Sequence, residues 1–198
     1  METIEKTNTY HEDPPSLEDF INNDYYLGTF LGDTLFPYWK TALQKVDSSG
    51  ESLVLAGGSI GIGKSTFLLT GFCYDLCKAL CLKDLYSTAG ILRSSDIIYY
   101  IDSPFIFDQF VTWIQHSPFF KREVLGIEEE VVYFKNGSTL RTKVQGSTVN
   151  DIILGKALAG GIFEDDSITY DTITNACIRM KSRFDMATNK LNYQFGAL

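Results

Sequence analysis

The sequence has no uninterrupted apolar run long enough to cross a lipid bilayer as a helix. Its first fifteen residues are polar and acidic, unlike the basic and apolar pattern of a secretory signal peptide. These two absences argue against a membrane or secreted protein, so we expect a cytoplasmic one. Because residues 1–15 end in Pro14-Pro15, we expect a flexible segment there, followed by a single domain over residues 16–198.

Residues that bind transition metals are scarce, with four cysteines and two histidines in 198 residues. Three of the cysteines, Cys73, Cys77 and Cys81, recur every four residues and therefore share one stripe of a helix. The histidines, His11 and His116, are distant from them in sequence, which leaves this stripe short of metal ligands. We interpret the three cysteines as small buried residues that pack the helix against a sheet.

Basic residues are also few, since 17 lysines and arginines stand against 25 aspartates and glutamates, for a net charge of −8. A broad positive surface that binds nucleic acid by neutralising its phosphates is therefore not expected. A local basic patch, or a DNA-handling role shared among subunits, is compatible with this charge.

One motif carries most of the functional information that the sequence does contain. Residues Gly58 to Ser65 match the pattern G-x-x-x-x-G-K-[ST], the phosphate-binding loop (P-loop) of nucleotide hydrolases and kinases. Residues 52–56 precede it and predict a short buried strand, whereas residues 66–82 predict a helix. A strand, a glycine-rich loop and a helix in this order make the motif specific.

Each residue type in the loop has a chemical role. Glycines let the backbone approach a phosphate closely, and the loop N–H groups converge on the anion beside the positive end of the helix. Lys64 would neutralise the β- and γ-phosphates, and the Ser65 hydroxyl would ligate Mg²⁺. The predicted nucleotide-binding residues are Gly58, Ser59, Ile60, Gly61, Ile62, Gly63, Lys64, Ser65 and Thr66.

Apolar strands alternate with helical patterns along the rest of the chain. Residues 97–101 predict a buried strand, and residues 105–115 predict an amphipathic helix. Residues 131–144 predict a β-hairpin, because an Asn-Gly turn separates two strand-like runs. With the P-loop, this order predicts an α/β fold of the P-loop NTPase class, with a mainly parallel sheet sandwiched by helices and a β-hairpin insertion.

A dense aromatic set precedes the loop. Phe36-Pro37-Tyr38-Trp39 indicates the start of a helix that packs beside the nucleotide site. For each of these rings the sequence allows two interpretations, a core aromatic or direct stacking on adenine.

A P-loop enzyme also needs a carboxylate at the end of a neighbouring strand to hold Mg²⁺ through water, and usually a second one to orient the attacking water. Asp102 directly follows the apolar run 97–101 and is the cleaner match to this pattern. The acid cluster 164–166 follows the run 158–163, which two glycines interrupt, and it supplies adjacent carboxylates. The residues alone leave both sites open.

Several further elements fall in a recognisable order. They are Phe36-Pro37-Tyr38-Trp39-Lys40, the P-loop, Ser117-Pro118-Phe119-Phe120, the Asn136-Gly137 turn, Gly146-Ser147, Leu154-Gly155-Lys156, the strand that ends in acids, and Lys181-Ser182-Arg183-Phe184. In this order the chain resembles the N-terminal ATPase domain of the large terminases of tailed phages, the motors that package DNA into proheads. The likeness covers roughly residues 16–185.

The resemblance implies that the chain hydrolyses ATP with Mg²⁺ and that the acid cluster ends its metal-holding (Walker B) strand. Matching by position implies that Glu164 holds Mg²⁺ together with Ser65, and that Asp165 orients the attacking water. Lys64 is then the third catalytic residue. A register one residue later gives Asp165 and Asp166 instead. The family usually has Asp-Glu here, so both registers depart from its pattern.

The resemblance also implies partners. They are double-stranded DNA bound through an assembled motor, a portal, a small terminase subunit and further copies in a homo-oligomeric ring in the host-cell cytoplasm, without a membrane. Such motors need an arginine on the γ-phosphate, for which Arg141, Arg179 and Arg183 are candidates. No nuclease activity is expected, because the chain is too short for the RNase H-like domain of a full terminase.

Two other functions stay open. If Asp102 is the Mg²⁺ partner, the protein is a small-molecule kinase. The irregular acid cluster is also compatible with a non-catalytic nucleotide-binding module that serves assembly.

Overall fold

The computed structural model describes residues 9–49, 54–56, 61–144, 146, 148–153, 156–163, 171, 174–176, 178 and 196–197. Its helices are α1 (Leu17–Asn22), α2 (Gly28–Leu31), α3 (Pro37–Ser49), α4 (Lys64–Leu80), α5 (Leu85–Ala89), α6 (Pro104–His116), α7 (Pro118–Glu123) and α8 (Val149–Ile153). Its strands are β1 (Val54–Leu55), β2 (Ile97–Ile101), β3 (Val124–Glu128), β4 (Val131–Phe134), β5 (Thr139–Thr142), β6 (Ala157–Phe163) and β7 (Gly196–Ala197). No helix within these ranges is long and apolar enough to span a membrane.

The strands form one sheet in the order β1-β7-β6-β2-β5-β4-β3. Five strands are parallel to one another, in the sheet order β1, β7, β6, β2 and β5. Strands β4 and β3 continue the sheet beyond β5 in antiparallel pairing. The predicted α/β class is therefore confirmed, and the sheet is mixed.

The predicted hairpin is present as β4 and β5, and its turn places Gly137 at φ 85°. It is not an insertion, because β5 also pairs with β2 in the parallel part of the sheet. The hairpin thus joins the parallel and the antiparallel parts.

The strand register brings the carboxyl ends of the parallel strands to one edge. Leu55 of β1 pairs with Ala197 of β7, which in turn pairs with Phe163 of β6. The backbone N–H of Asp102, directly after β2, donates to the Ile162 carbonyl at 2.9 Å. Strands β1, β6 and β2 therefore end at nearly the same height of the sheet.

Two glycines make this packing fit in β6, where all seven residues are buried. A Cβ on Gly160 would lie 3.2 Å from Cδ1 of Tyr99, and one on Gly161 would lie 3.1 Å from both the Tyr100 carbonyl oxygen and Cε2 of Phe163. Both positions are closer than ordinary van der Waals contact, so a side chain there would displace a ring or the neighbouring backbone. The glycines that interrupt the apolar run thus make room for aromatic side chains.

Helix α4 packs on the sheet through its apolar side. Phe72 contacts Tyr99 of β2 and Phe110 of α6 edge to face, with ring centroids 5.9 and 6.1 Å apart. Cys73, Cys77 and Cys81 are completely buried, which agrees with their interpretation as small packing residues. Burial raises the pKa of the Cys73 and Cys77 thiols well above the usual value.

The end of the segment expected to be flexible, residues 1–15, contacts the domain. The Thr9 carbonyl accepts from the Lys83 N–H at 3.0 Å, and the His11 N–H donates to the Cys81 carbonyl at 2.9 Å. Glu12 forms an ion pair with Arg122. Residues 9–12 are therefore attached beside the end of α4, and residues 1–8 lie outside the described part.

Replacing Gly161 by alanine should lower the free energy of unfolding by about 1–3 kcal/mol, because the new Cβ meets backbone that cannot move without the sheet. Urea denaturation monitored by circular dichroism measures this change. Gly126→Ala is the matched control, since Gly126 also lies in a strand and its Cβ would meet no atom within 4 Å. Equal effects of the two substitutions would contradict the packing argument.

Candidate functional site

The described part of the P-loop starts at Gly61, and Gly58, Ser59 and Ile60 lie outside the described residues. Gly61 and Gly63 adopt φ angles of 85° and 83°, in the left-handed region that disfavours side chains. Gly63 is also the N-cap of α4, and its carbonyl accepts from the Phe67 N–H at 2.9 Å. The loop therefore turns sharply and enters the helix without an intervening residue.

Lys64, Ser65 and Thr66 form the first turn of α4 and are partly buried. The helix thus begins two residues before the predicted start. Gly63 supplies no side-chain cap for this turn. The start of a helix directs its first N–H groups and the positive end of its dipole toward the preceding loop, which favours an anion there.

An aromatic clamp, which we define as Tyr38, Trp39 and Phe67, holds the loop from the side. The Tyr38 hydroxyl and Nε1 of Trp39 both donate to the Ile62 carbonyl at 2.6 Å. The Trp39 ring stacks on Phe67 of α4, with centroids 4.3 Å apart. Because Tyr38 and Trp39 start α3, the clamp ties α3, the loop and α4 together at one point.

The sequence predicts only part of the clamp. The aromatic run before the loop indicated a helix beside the site, but nothing in it indicated that two side chains would share one loop carbonyl. Phe36 and Tyr38 are 52% and 51% exposed and stack on each other with centroids 5.5 Å apart. These two rings are therefore not core aromatics, in contrast to the half-buried Trp39.

The acid cluster 164–166, with the proposed Glu164, Asp165 and Asp166, lies outside the described residues. The strand that leads to it is described, and its last residue, Phe163, lies level with Leu55 across β7. β6 lies two strand spacings from β1, which is a distance of about 10 Å across the sheet. The end of β6 therefore lies at the same edge of the sheet as the end of β1.

Asp102 lies at the same edge but is engaged differently. Its side chain is buried, with 2% exposure, and Oδ1 accepts from the Tyr100 hydroxyl at 2.8 Å. Three strand spacings, or about 14 Å, separate β2 from β1. Asp102 is therefore farther than the end of β6 from β1, the strand that precedes the P-loop.

Of the three candidate arginines, Arg179 and Arg183 lie outside the described residues. Arg141 belongs to β5, four strand spacings or about 19 Å from β1. An arginine at this position is too far across the sheet to reach a phosphate on the P-loop of its own chain. Within the described ranges no group of three or more His, Cys, Asp or Glu residues could hold a metal ion.

The clamp predicts a measurable coupling between Tyr38 and Trp39. Tyr38→Phe and Trp39→Phe each remove one donor from the Ile62 carbonyl and should each cost about 1 kcal/mol of unfolding free energy. The double variant should lose at least about 0.5 kcal/mol more than the sum, because the partly buried carbonyl then has neither donor.

Thr41 provides the control for this cycle, because its hydroxyl donates to the Pro37 carbonyl on the same helix and not to the loop. A cycle of Thr41→Val with Trp39→Phe should therefore be additive. If Tyr38→Phe and Trp39→Phe are additive as well, the shared carbonyl does not couple them.

No protein-family model and no curated protein matches this sequence. A functional assignment therefore depends on the residue types and geometry of the chain itself. These are two glycines in the left-handed region, a helix that starts directly after them with a lysine and a serine, and strands β1 and β6 that end at the same level of the sheet.

Proposed function

We propose that this chain is an ATP-binding and ATP-hydrolysing P-loop domain of a terminase-like viral DNA-packaging motor. The observation that carries the proposal is the turn through Gly61 and Gly63, which leads directly into α4 at Lys64. The donor groups of this turn, the exposed rings beside it and the end of β6 add further support.

The donor set of the turn suits a nucleotide phosphate. Gly61 has open space where a Cβ would lie, so backbone N–H groups can approach an anion closely. Lys64 supplies positive charge to the β- and γ-phosphates, and the Ser65 hydroxyl supplies an oxygen ligand to Mg²⁺. The exposed rings of Phe36 and Tyr38 offer a flat apolar surface beside the loop, which suits stacking with adenine.

The end of β6 suits the acidic side of the site. A carboxylate at Glu164 would hold Mg²⁺ together with Ser65, and Asp165 would orient the attacking water. The register with Asp165 and Asp166 in these two roles is the alternative. Mg²⁺, when bound, supplies charge neutralisation for the leaving phosphate oxygens.

The packaging part of the proposal rests on the order of sequence elements that resembles large terminases. It implies double-stranded DNA, a portal, a small terminase subunit and a homo-oligomeric ring as partners in the host-cell cytoplasm. Arg141 is remote from the P-loop strand, which favours a γ-phosphate arginine from Arg179, Arg183 or a neighbouring subunit. The chain itself is proposed to have no nuclease activity.

Lys64→Ala should abolish ATP hydrolysis, a loss of at least about a hundredfold, because it removes charge stabilisation of the transferred phosphate. Phosphate release by the purified variant measures the effect, with melting temperature as the check on folding. Lys45→Ala is the control, since Lys45 is an exposed lysine of α3. Full turnover by Lys64→Ala would contradict the proposed site.

Separate substitution of the acids distinguishes the packaging ATPase from a small-molecule kinase. Glu164→Gln, Asp165→Asn and Asp166→Asn should identify two positions whose loss stops Mg²⁺-dependent turnover. Asp102→Asn should retain turnover, because its carboxylate bonds to Tyr100 inside the protein. Loss of turnover in folded Asp102→Asn alone would favour the kinase. ATP binding without phosphate release in the wild type, with DNA present, would favour the assembly module.

A further inference from the structure

One face of the hairpin remains partly open to solvent. Along β5, Leu140 and Thr142 are buried, whereas Thr139 and Arg141 point to the opposite side and are partly exposed. Their partners on β4, Tyr133 and Val131, show the same partial exposure. Since paired residues on adjacent strands share a face, these four side chains border one open surface, which we call the β5 face.

Two polar atoms on the β5 face are buried without a partner. They are Nε of Arg141 and Oγ1 of Thr139, and neither has a hydrogen-bond partner in the described structure. Both atoms donate hydrogen bonds, and their side chains are two residues apart on the same side of β5. Buried donors are normally paired, so an unpaired set on one face points to a ligand that accepts hydrogen bonds.

The positive charge of Arg141 acts on a second cation, Lys156. Lys156 directly precedes β6 and is partly buried. Its pKa is lowered from the usual value, first by burial and then by the positive charge of Arg141, while Asp96 acts in the opposite direction. Asp96 is exposed to solvent, so its negative charge offsets the effects of burial and of Arg141 on Lys156 only in part. Two cations that repel each other both gain from a bound anion.

Two acids near β5 are already engaged: Asp102, directly after β2, accepts from the Tyr100 hydroxyl, and Glu128 lies on β3, two strands from β5. Glu128 of β3 accepts from the Tyr133 hydroxyl at 3.1 Å, and this bond is the main reason that the pKa of Tyr133 is raised. Within the described ranges, neither Arg141 nor Lys156 has an ion pair with a carboxylate. The β5 face therefore offers positive charge and donors to an incoming group.

We propose that Arg141, Thr139 and Lys156 form a binding site for one oxyanion of the phosphate class. The guanidinium and the ammonium groups supply charge, and Nε and the Thr139 hydroxyl supply directed hydrogen bonds. The group is either a free phosphate ion or a phosphodiester of DNA. The DNA source rests on the proposed function, whereas the anion site itself does not. It is separate from the P-loop, since β5 lies four strands from β1.

The test is a titration of the folded full-length chain with inorganic phosphate, observed by NMR at constant ionic strength with chloride as the reference anion. The Nε–Hε signal of Arg141 should shift saturably, and the pKa of Lys156 should rise as phosphate binds. The Nε–Hε signal of Arg93, which is exposed and paired with Asp84, should not shift. Absence of a saturable Arg141 shift would overturn the proposal.

Three variants test the assigned roles. Arg141→Gln and Lys156→Gln should each weaken phosphate binding by roughly tenfold or more, as expected for a lost charge-assisted contact. Thr139→Val should also weaken binding without lowering the melting temperature, because the hydroxyl has no partner to lose in the free protein. Arg93→Gln and Lys135→Gln are the matched controls. Undiminished binding in folded Thr139→Val and Arg141→Gln would overturn the proposal.

A short DNA duplex separates the two sources of the anion. A duplex that shifts the Arg141 signal and competes with phosphate supports a phosphodiester ligand, and a duplex that does neither, while phosphate still binds, supports a free anion. Lys64→Ala should leave the saturable shift of the Arg141 signal unchanged, because that signal reports only on the β5 face. A failed ATPase assay with an intact Arg141 shift therefore rejects the proposed function but not this site.

Discussion

The parallel pairing of β2 with β6 is the constraint on which the rest of the molecule depends. β6 is buried on both faces, and its register on β2 holds only because Gly160 and Gly161 leave room for Tyr99, the Tyr100 carbonyl and Phe163. A slip of one residue would reverse every side chain of β6 between the two faces. It would also move the end of β6 away from the level of the P-loop strand. The level at which β6 ends relative to β1 is thus fixed by packing in the sheet centre.

The loop itself has a rigid side and an open side. Its rigid side is the aromatic clamp, where Trp39 stacks on Phe67 and shares the Ile62 carbonyl with Tyr38. Its open side carries the first turn of α4 and the exposed Phe36 ring. A site whose backbone is held by packed neighbours needs little reorganisation when a ligand binds. The clamp therefore supplies preorganisation, while the exposed rings leave space for the base that the proposed function requires.

Local signals predicted local structure well. The P-loop motif predicted left-handed glycines before a helix, apolar runs predicted β2 and α6, and the Asn-Gly pair predicted the hairpin, because each depends on neighbouring residues alone. Strand order depends on pairings across the whole chain, so the mixed sheet, the edge strand β3 and the link from β5 to β2 were not predictable. The same holds for the site: Lys64 and Ser65 follow from the motif, whereas the contacts of Trp39 with residue 62, and of Asp102 with Tyr100, come from tertiary packing.

The acidic composition and the two proposed phosphate sites are consistent with each other. At physiological salt, charges separated by more than about 8 Å are largely screened, so a net charge of −8 opposes nucleic acid mainly as a weak, diffuse repulsion. Binding at each proposed site is then decided by donors that converge locally. In the P-loop these donors are backbone N–H groups and Lys64, and on the β5 face they are Arg141, Thr139 and Lys156. Under the proposed function, such few, local contacts would let a motor release DNA at each step, since each neutralised phosphate adds to the affinity and to its salt dependence.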